Sequence, residues 1–377
     1  MKIMLDFLNS FKSLIKLEKI HTDNNVFKLH YRFTVIMLIV FSILITSKQY
    51  FGDPINCDVE DDHKNVINTY CWIFGTFRLK DSLSDNIWPG LGNYASRKFS
   101  NNPWKEIMKA NDLDDVIISQ KYYQWVCIVL CFQALLFYIP RYLWKTWEGG
   151  RLRLLVKDLG SPLISSSWNK DCKERLIRYI LAGKYSHNLY CFRFTVCELL
   201  NLINVIGQII LMDWFLNYQF SDYGISLATT SAFETMNRVF PKLTKCTYGK
   251  FGPSGSVESR DALCVLPINV VNEKLFIFLW FWLYLLSALS FLAMVYRMMV
   301  LCIPRFRVYL LMAQARYISR INAEVIIKRL SYGDYFILYQ MGKNLNPLIY
   351  RDLVSGIGST LMDKSSLSYN PEVTIPI

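Results

Sequence analysis

Leu275 to Tyr296 (LFIFLWFWLYLLSALSFLAMVY) runs for 22 residues without a charge. As a helix rising about 1.5 Å per residue it reaches about 33 Å, enough to cross the hydrocarbon core of a bilayer. A helix of a soluble domain buries one stripe and wets the other, so a run this apolar on every side excludes a purely soluble chain. Three more stretches follow. Tyr122 to Ile139 is uncharged and ends at Pro140, Phe194 to Phe215 contains Glu198 and Asp213, and Phe33 to Thr46 is short unless Val26 to Gln49 is included. The chain reads as a mainly α, polytopic membrane protein with four transmembrane helices, and its 53% hydrophobic content agrees.

The implied division is an amphipathic N-terminal segment (1–25), spans at 26–47, 122–139, 194–215 and 275–296, and connecting segments at 48–121, 140–193, 216–274 and 297–377. Lys and Arg beside a span stay on the cytoplasmic side. The segment Pro140 to Arg193 holds eleven of them against four Asp and Glu, and Arg297 to Ile377 holds ten against five. Lys48 to Lys121 reverses the balance with nine against eleven, and Leu216 to Lys274 is near parity at six against five. Both termini and the middle loop are therefore expected inside, and the other two loops outside. The formal charge of +12 is largely a product of this topology. A nucleic-acid partner would need a recognisable binding module, and none is present. The first twenty residues interleave Lys2, Asp6, Lys12, Lys16, Glu18 and Lys19 with apolar residues, so the first span is expected to act as its own insertion signal.

Four of the ten cysteines fall in the expected outer loops, Cys57 and Cys71 in the first and Cys246 and Cys264 in the second. An oxidising compartment turns such residues into disulfides, and four cysteines allow three pairings. Gly249 to Ser256 (GKFGPSGS) reads as a tight turn in the second loop.

Polar residues on apolar helices carry the remaining information. Ile3, Met4, Phe7, Leu8, Phe11, Leu14 and Ile15 recur at helical spacing, with Lys2, Asp6, Asn9, Ser13 and Lys16 opposite. Such a helix lies flat on the inner leaflet or folds back to line a pore mouth. Ser42, Thr46 and Gln49 form one polar stripe on the first span, suited equally to a pore wall or to contacts between packed helices. Glu198, Asn201, Asn204 and Gln208 share one face of the third span, which must meet protein or water and not lipid. Enzyme chemistry finds no footing: His21, His30, His63 and His187 show no metal-ligand spacing, and neither a nucleophile elbow nor a phosphate loop is present. No metal, prosthetic group or other cofactor is implied.

Local sequence then becomes specific. Tyr122-Tyr123-Gln124-Trp125 at the start of the second span resembles a signature of the innexins, the invertebrate gap-junction proteins. Pro140-Arg141-Tyr142-Leu143-Trp144-Lys145-Thr146-Trp147-Glu148-Gly149-Gly150, Cys197-Glu198-Leu199-Leu200, Phe240-Pro241-Lys242-Leu243-Thr244-Lys245-Cys246 and Leu266-Pro267-Ile268-Asn269-Val270-Val271-Asn272-Glu273-Lys274 are similar to stretches of insect members. Met4-Leu5-Asp6 resembles the point where insect members begin, and the family includes copies carried by insect-infecting viruses.

The resemblance implies four spans, a disulfide-linked outer α/β domain and a helical cytoplasmic domain. It also implies assembly as a homo-oligomer, an octamer, into a plasma-membrane hemichannel that docks with one on an adjacent cell, pairs with its own kind or with other innexins, and passes ions and small metabolites. It pairs Cys57 with Cys264 and Cys71 with Cys246. It assigns the pore lining to Met1, Lys2, Met4, Leu5, Asp6 and Asn9 of the N-terminal segment and to Ser42, Thr46 and Gln49. Two rivals make separate expectations. A non-docking hemichannel would release metabolites from single cells, and a purely adhesive four-span protein would not conduct. Neither outer loop contains an Asn-x-Ser/Thr sequon, in keeping with docking.

Overall fold

The computed structural model describes residues 20–59, 63–79, 117–157, 159, 168–229, 232–316 and 318–367. In chain order the helices are α1 (Asn25–Phe51), α2 (Lys64–Phe74), α3 (Val126–Glu148), α4 (Arg151–Val156), α5 (Lys170–Ala182), α6 (Asn188–Phe215), α7 (Phe220–Thr229), α8 (Ala232–Val239), α9 (Pro267–Cys302), α10 (Pro304–Gln314), α11 (Arg320–Arg329), α12 (Tyr332–Gly342) and α13 (Pro347–Leu367). The strands are β1 (Asn56–Asp58), β2 (Thr76–Leu79), β3 (Ile117–Gln120), β4 (Leu243–Phe251) and β5 (Val257–Val265). Among the described residues, α1, α3, α6 and α9 are the helices long and apolar enough to cross a membrane.

These four helices outrun the apolar stretches that announce them, because a charge ends an apolar run without ending a helix. α9 extends beyond 275–296 at both ends, and α6 begins at Asn188 instead of 194. α3 starts later than 122, since Tyr122–Gln124 forms a separate 3-10 turn, and it passes through Pro140 to Glu148. Pro140 lacks an N–H, so the Leu136 carbonyl forgoes its helical partner, a loss that packed membrane helices tolerate. α1 contains a π turn at Leu29–Thr34, where the Thr34 hydroxyl donates to the Leu29 carbonyl at 2.9 Å.

The chain divides into two compact units. The sheet unit comprises Val35–Leu136 and Val205–Leu285. Its antiparallel sheet has the order β1-β5-β4-β2-β3, so the hairpin of the second loop sits centrally and is flanked by strands of the first. Alternation places Thr244 and Cys246 of β4 and Ala262 and Cys264 of β5 on the buried face. The nine β4–β5 pairs run from Leu243↔Val265 to Phe251↔Val257. The expected turn over 249–256 is therefore shorter, at 252–256, because Gly249 still pairs with Ser259. Gly255, at φ +76°, supplies the left-handed step of that turn.

The helical unit comprises Met1–Thr34, Phe137–Asn204 and Leu286–Ile377. Its centre is α12, which is apolar nearly all round and buries Phe336, Ile337, Leu338 and Met341. Ser331 and Asp334 form a capping box at its start. The turn after the cap presses against the start of α6: a Cβ on Gly333 would stand 2.5 Å from the Asn188 nitrogen, so only glycine fits. Helices α4, α10 and α13 pack against this centre, α11 packs on α10 and α13, and α5 lies on α13 through Ile177 and Lys173.

Candidate functional site

The sheet unit is held by two covalent links. Cys57 of β1 is bonded to Cys264, its directly opposite neighbour on β5, and Cys71 of α2 is bonded to Cys246 of β4. All four are buried, and the sulfurs of Cys57, Cys71 and Cys264 lie within 4.8 Å of one another. The two bridges thus form one sulfur core that joins the first loop to the second. β1 is three residues long, too little ladder to stay paired alone, so its place depends on this bond.

The tetrapeptide 122–125 pins the head of α3 to this unit. The Tyr122 hydroxyl donates to the Val239 carbonyl at 3.4 Å, and its ring meets Phe215 and Phe240 edge-on. Tyr123 is buried against Trp72 at 4.9 Å between ring centres, and the Gln124 amide donates to the Trp72 carbonyl. Trp125 is exposed, suited to the interfacial aromatic belt of a bilayer.

The polar stripe of α1 faces α3. Ser42 is 4% exposed, and its hydroxyl donates to the Cys127 carbonyl at 3.0 Å while standing 3.1 Å from the Cys131 sulfur. Gln49 accepts from the Cys127 thiol at 3.7 Å, and Thr46 is half-buried. Two of the three stripe residues therefore serve helix packing. Met1, Lys2, Met4, Leu5, Asp6 and Asn9 lie outside the described residues.

In the helical unit the polar face of α6 is centred on Glu198. Arg297 grips its carboxylate with two hydrogen bonds of 2.8 Å, and the Asn24 amide adds a third at 2.6 Å. The guanidinium lies over the faces of Phe194 and Phe336, which complete its desolvation. Sequence reasoning left Glu198 without a named partner, yet a signal existed: Arg297 is the first charge after the long uncharged run. Asn201 is 4% exposed with both amide atoms unpartnered among the described residues, and Asn204 is half-buried. In the sheet unit, Gln208 of the same helix is buried.

A second buried pair escaped the sequence altogether. Arg141, next to Pro140, bonds both oxygens of Asp23 at 2.6 and 2.7 Å, and the Tyr31 hydroxyl donates to the same carboxylate. His30 is also buried and contacts the Ser290 oxygen at 2.7 Å. The Ser290 proton goes to the Leu286 carbonyl, so His30 must donate from Nε2.

Asp334 and Lys343 are among the groups outside the spans whose pKa values are displaced. Burial pushes the Asp334 carboxyl upward, but hydrogen bonds from His187, Ser331 and the Tyr185 and Ser331 N–H groups outweigh it and hold the acid below its ordinary range. Lys343 is lowered from 10.5 to about 8 by burial first, then by the charges of Arg297 and Lys28, with Glu198 opposing. At pH 7 this lysine is charged both folded and unfolded, so the folded state bears the full burden. From about 8 to 10.5 the folded group is discharged while the unfolded one is not, and stability rises with pH. Lys343 keeps contact with solvent, so water screens much of this effect: its contribution is expected to raise the Tm of the purified protein only slightly between pH 7 and pH 9, and Lys343→Met should remove that share of the slope. An equal slope in the variant would reject the assignment.

Comparison with known proteins decides the family. The innexin family model matches residues 23–361. The chain is 46% identical to Innexin inx2 of Drosophila melanogaster over 365 residues, covering 94% of this chain and 95% of that protein. It is 46% identical to Innexin inx2 of Schistocerca americana over 372 residues, covering 96% and 99% respectively. The chain belongs to the innexin family. Innexin shaking-B of Drosophila melanogaster is 41% identical over 370 residues, 95% of each chain. Innexins form gap-junction channel subunits in the membrane, so the four long helices of this innexin are its spans and its bridged sheet unit is a channel component. The match opens at Asp23, where the buried contacts with Arg141 begin.

Proposed function

We propose that this innexin assembles as an octamer around an aqueous pore and docks, through its sheet unit, onto a matching hemichannel of an adjacent cell. Ions and small metabolites then pass between the two cytoplasms. The charge balance of the connecting segments supports an outward sheet unit and inward termini. The pore wall is assigned to Met1, Lys2, Met4, Leu5, Asp6 and Asn9, with Thr46 of α1 further along. Ser42 and Gln49 hold α1 against α3 behind that wall. Partners are further copies of the chain, other innexins and the surrounding lipid.

One observation carries the docking part. β1 pairs with β5 only at residues 263–265, and β2 meets β4 only at Lys245. Beyond those points β4 and β5 continue as a two-stranded ribbon, Thr247–Phe251 against Val257–Asp261, that no other described strand accompanies. Phe251 and Val257 face each other at its tip, 75% and 66% exposed. An isolated ribbon is marginally stable in water, and an exposed apolar pair at its end suits a surface that another copy covers.

The double variant Phe251→Ser/Val257→Ser is expected to stop dye transfer between paired cells while dye uptake into single cells persists. Transfer at the wild-type rate would remove the ribbon from docking. Wild-type uptake without any transfer would favour the non-docking hemichannel, and wild-type protein silent in both assays would favour adhesion.

A further inference from the structure

The residues just ahead of α1 are held from several sides within the helical unit. Asn344, in the turn between α12 and α13, accepts the His21 N–H on Oδ1 at 2.6 Å and returns a hydrogen bond from Nδ2 to the His21 carbonyl at 2.8 Å. The same Nδ2 donates to the Gln340 carbonyl at 2.9 Å, which fixes the orientation of the amide. Both partners on His21 are backbone atoms, so this clamp grips the path of the chain and not a side chain. Asp23 is locked by Arg141 and Tyr31. Asn24 donates to Glu198 at 2.6 Å and receives Lys343 at 3.4 Å.

A linker with no mechanical duty needs none of this, because water satisfies an exposed backbone equally well. Here two consecutive residues of the α12–α13 turn, Lys343 and Asn344, reach the strand of chain from His21 to Asn24, which leads directly into α1. Any shift of that turn must drag the strap or break its bonds.

We propose that Asn344 is a positioning residue for the first span: through the His21–Asn24 strap the C-terminal helices set where α1 begins, and so bias the channel between conducting and closed states. The proposal rests on the reading of α1 as part of the pore. It separates the composition of the pore, which Asn344 does not touch, from the equilibrium between its states, which Asn344 adjusts.

The test is single-channel recording from full-length protein in the plasma membrane of single cells. Asn344→Ala is expected to change the ratio of open to closed time by about fivefold to tenfold, the effect of about one net hydrogen bond, at unchanged unitary conductance. Asn24→Ala should move the ratio in the same direction, and the double variant should move it by less than the product of the two. Asn344→Asp keeps the acceptor for the His21 N–H but turns an oxygen towards the His21 and Gln340 carbonyls, so it should shift the ratio at least as far as alanine, which keeps the test readable if the alanine variant fails to reach the surface. Asp352→Asn removes the ion pair of α13 with Lys173 and one of the two acceptor oxygens shared by Lys173 and Trp168 but leaves the strap intact, and should behave as wild type. An unchanged ratio in both Asn344 variants, or an equal shift in Asp352→Asn, overturns the proposal. A wild-type protein without any conductance is a different result: it removes the pore reading, and this inference with it.

Discussion

Cys57→Ser or Cys264→Ser is expected to abolish electrical coupling between paired cells. The bond joins residues 207 apart in sequence, and its partner bridge spans 175. Losing a bridge of this kind typically costs about 2–5 kcal/mol, by a mechanism whose entropic part is model-dependent. The local consequence is larger than that figure suggests. β1 contributes three residue pairs, and Cys57↔Cys264 is the middle one, so the serine variant leaves two flanking pairs to hold the end of the first loop on the sheet. The remaining thiol would sit buried against the second bridge, poised to exchange with it by attack on a neighbouring sulfur. The variant should therefore show scrambled or unpaired cysteines under maleimide labelling in denaturant. Cys71→Ser and Cys246→Ser should lose coupling too, by releasing α2 from β4. Normal coupling in both the Cys57 and Cys264 variants would show that the sheet unit does not need this bridge.

Much of this architecture is legible in the chain because water and lipid impose coarse rules. The uncharged run from Leu275 to Tyr296 has no soluble alternative, and each of the four apolar stretches falls on one of the four long helices. Contact partners are a different matter. The stripe of Ser42, Thr46 and Gln49 has the same periodicity whether it meets water or a neighbouring helix, and only the position of Cys127 and Cys131 settles that Ser42 meets protein. Glu198 announces a partner without naming it, because ninety-nine residues separate it from Arg297. Asp23 carries no signal at all, since a lone acid before a span usually faces solvent. β2 and β3 are four residues each, too short for a pattern to stand out, so the flanks of the sheet were invisible while its central hairpin showed turn chemistry over 249–256, of which 252–256 form the turn.

Arg297→Met and Glu198→Leu should each destabilise the protein severely, by about 3–5 kcal/mol, because each leaves a buried charge without its counterpart. In the first case the Glu198 carboxylate retains the Asn24 amide but loses both guanidinium bonds. In the second, the guanidinium is left on the faces of Phe194 and Phe336, which attract a cation but cannot replace a carboxylate. The double variant Arg297→Met/Glu198→Leu should lose less than either single one, since two apolar side chains of suitable size refill the space without a desolvation penalty. Recovery should stay incomplete, because the Asn24 amide loses its acceptor and the strap ahead of α1 loosens. Tm measurements on purified wild type, the two single variants and the double variant close this cycle. A double variant at least as unstable as the sum of the singles would mean that the pair is not coupled, and that Arg297 marks the end of the uncharged run without holding it in place.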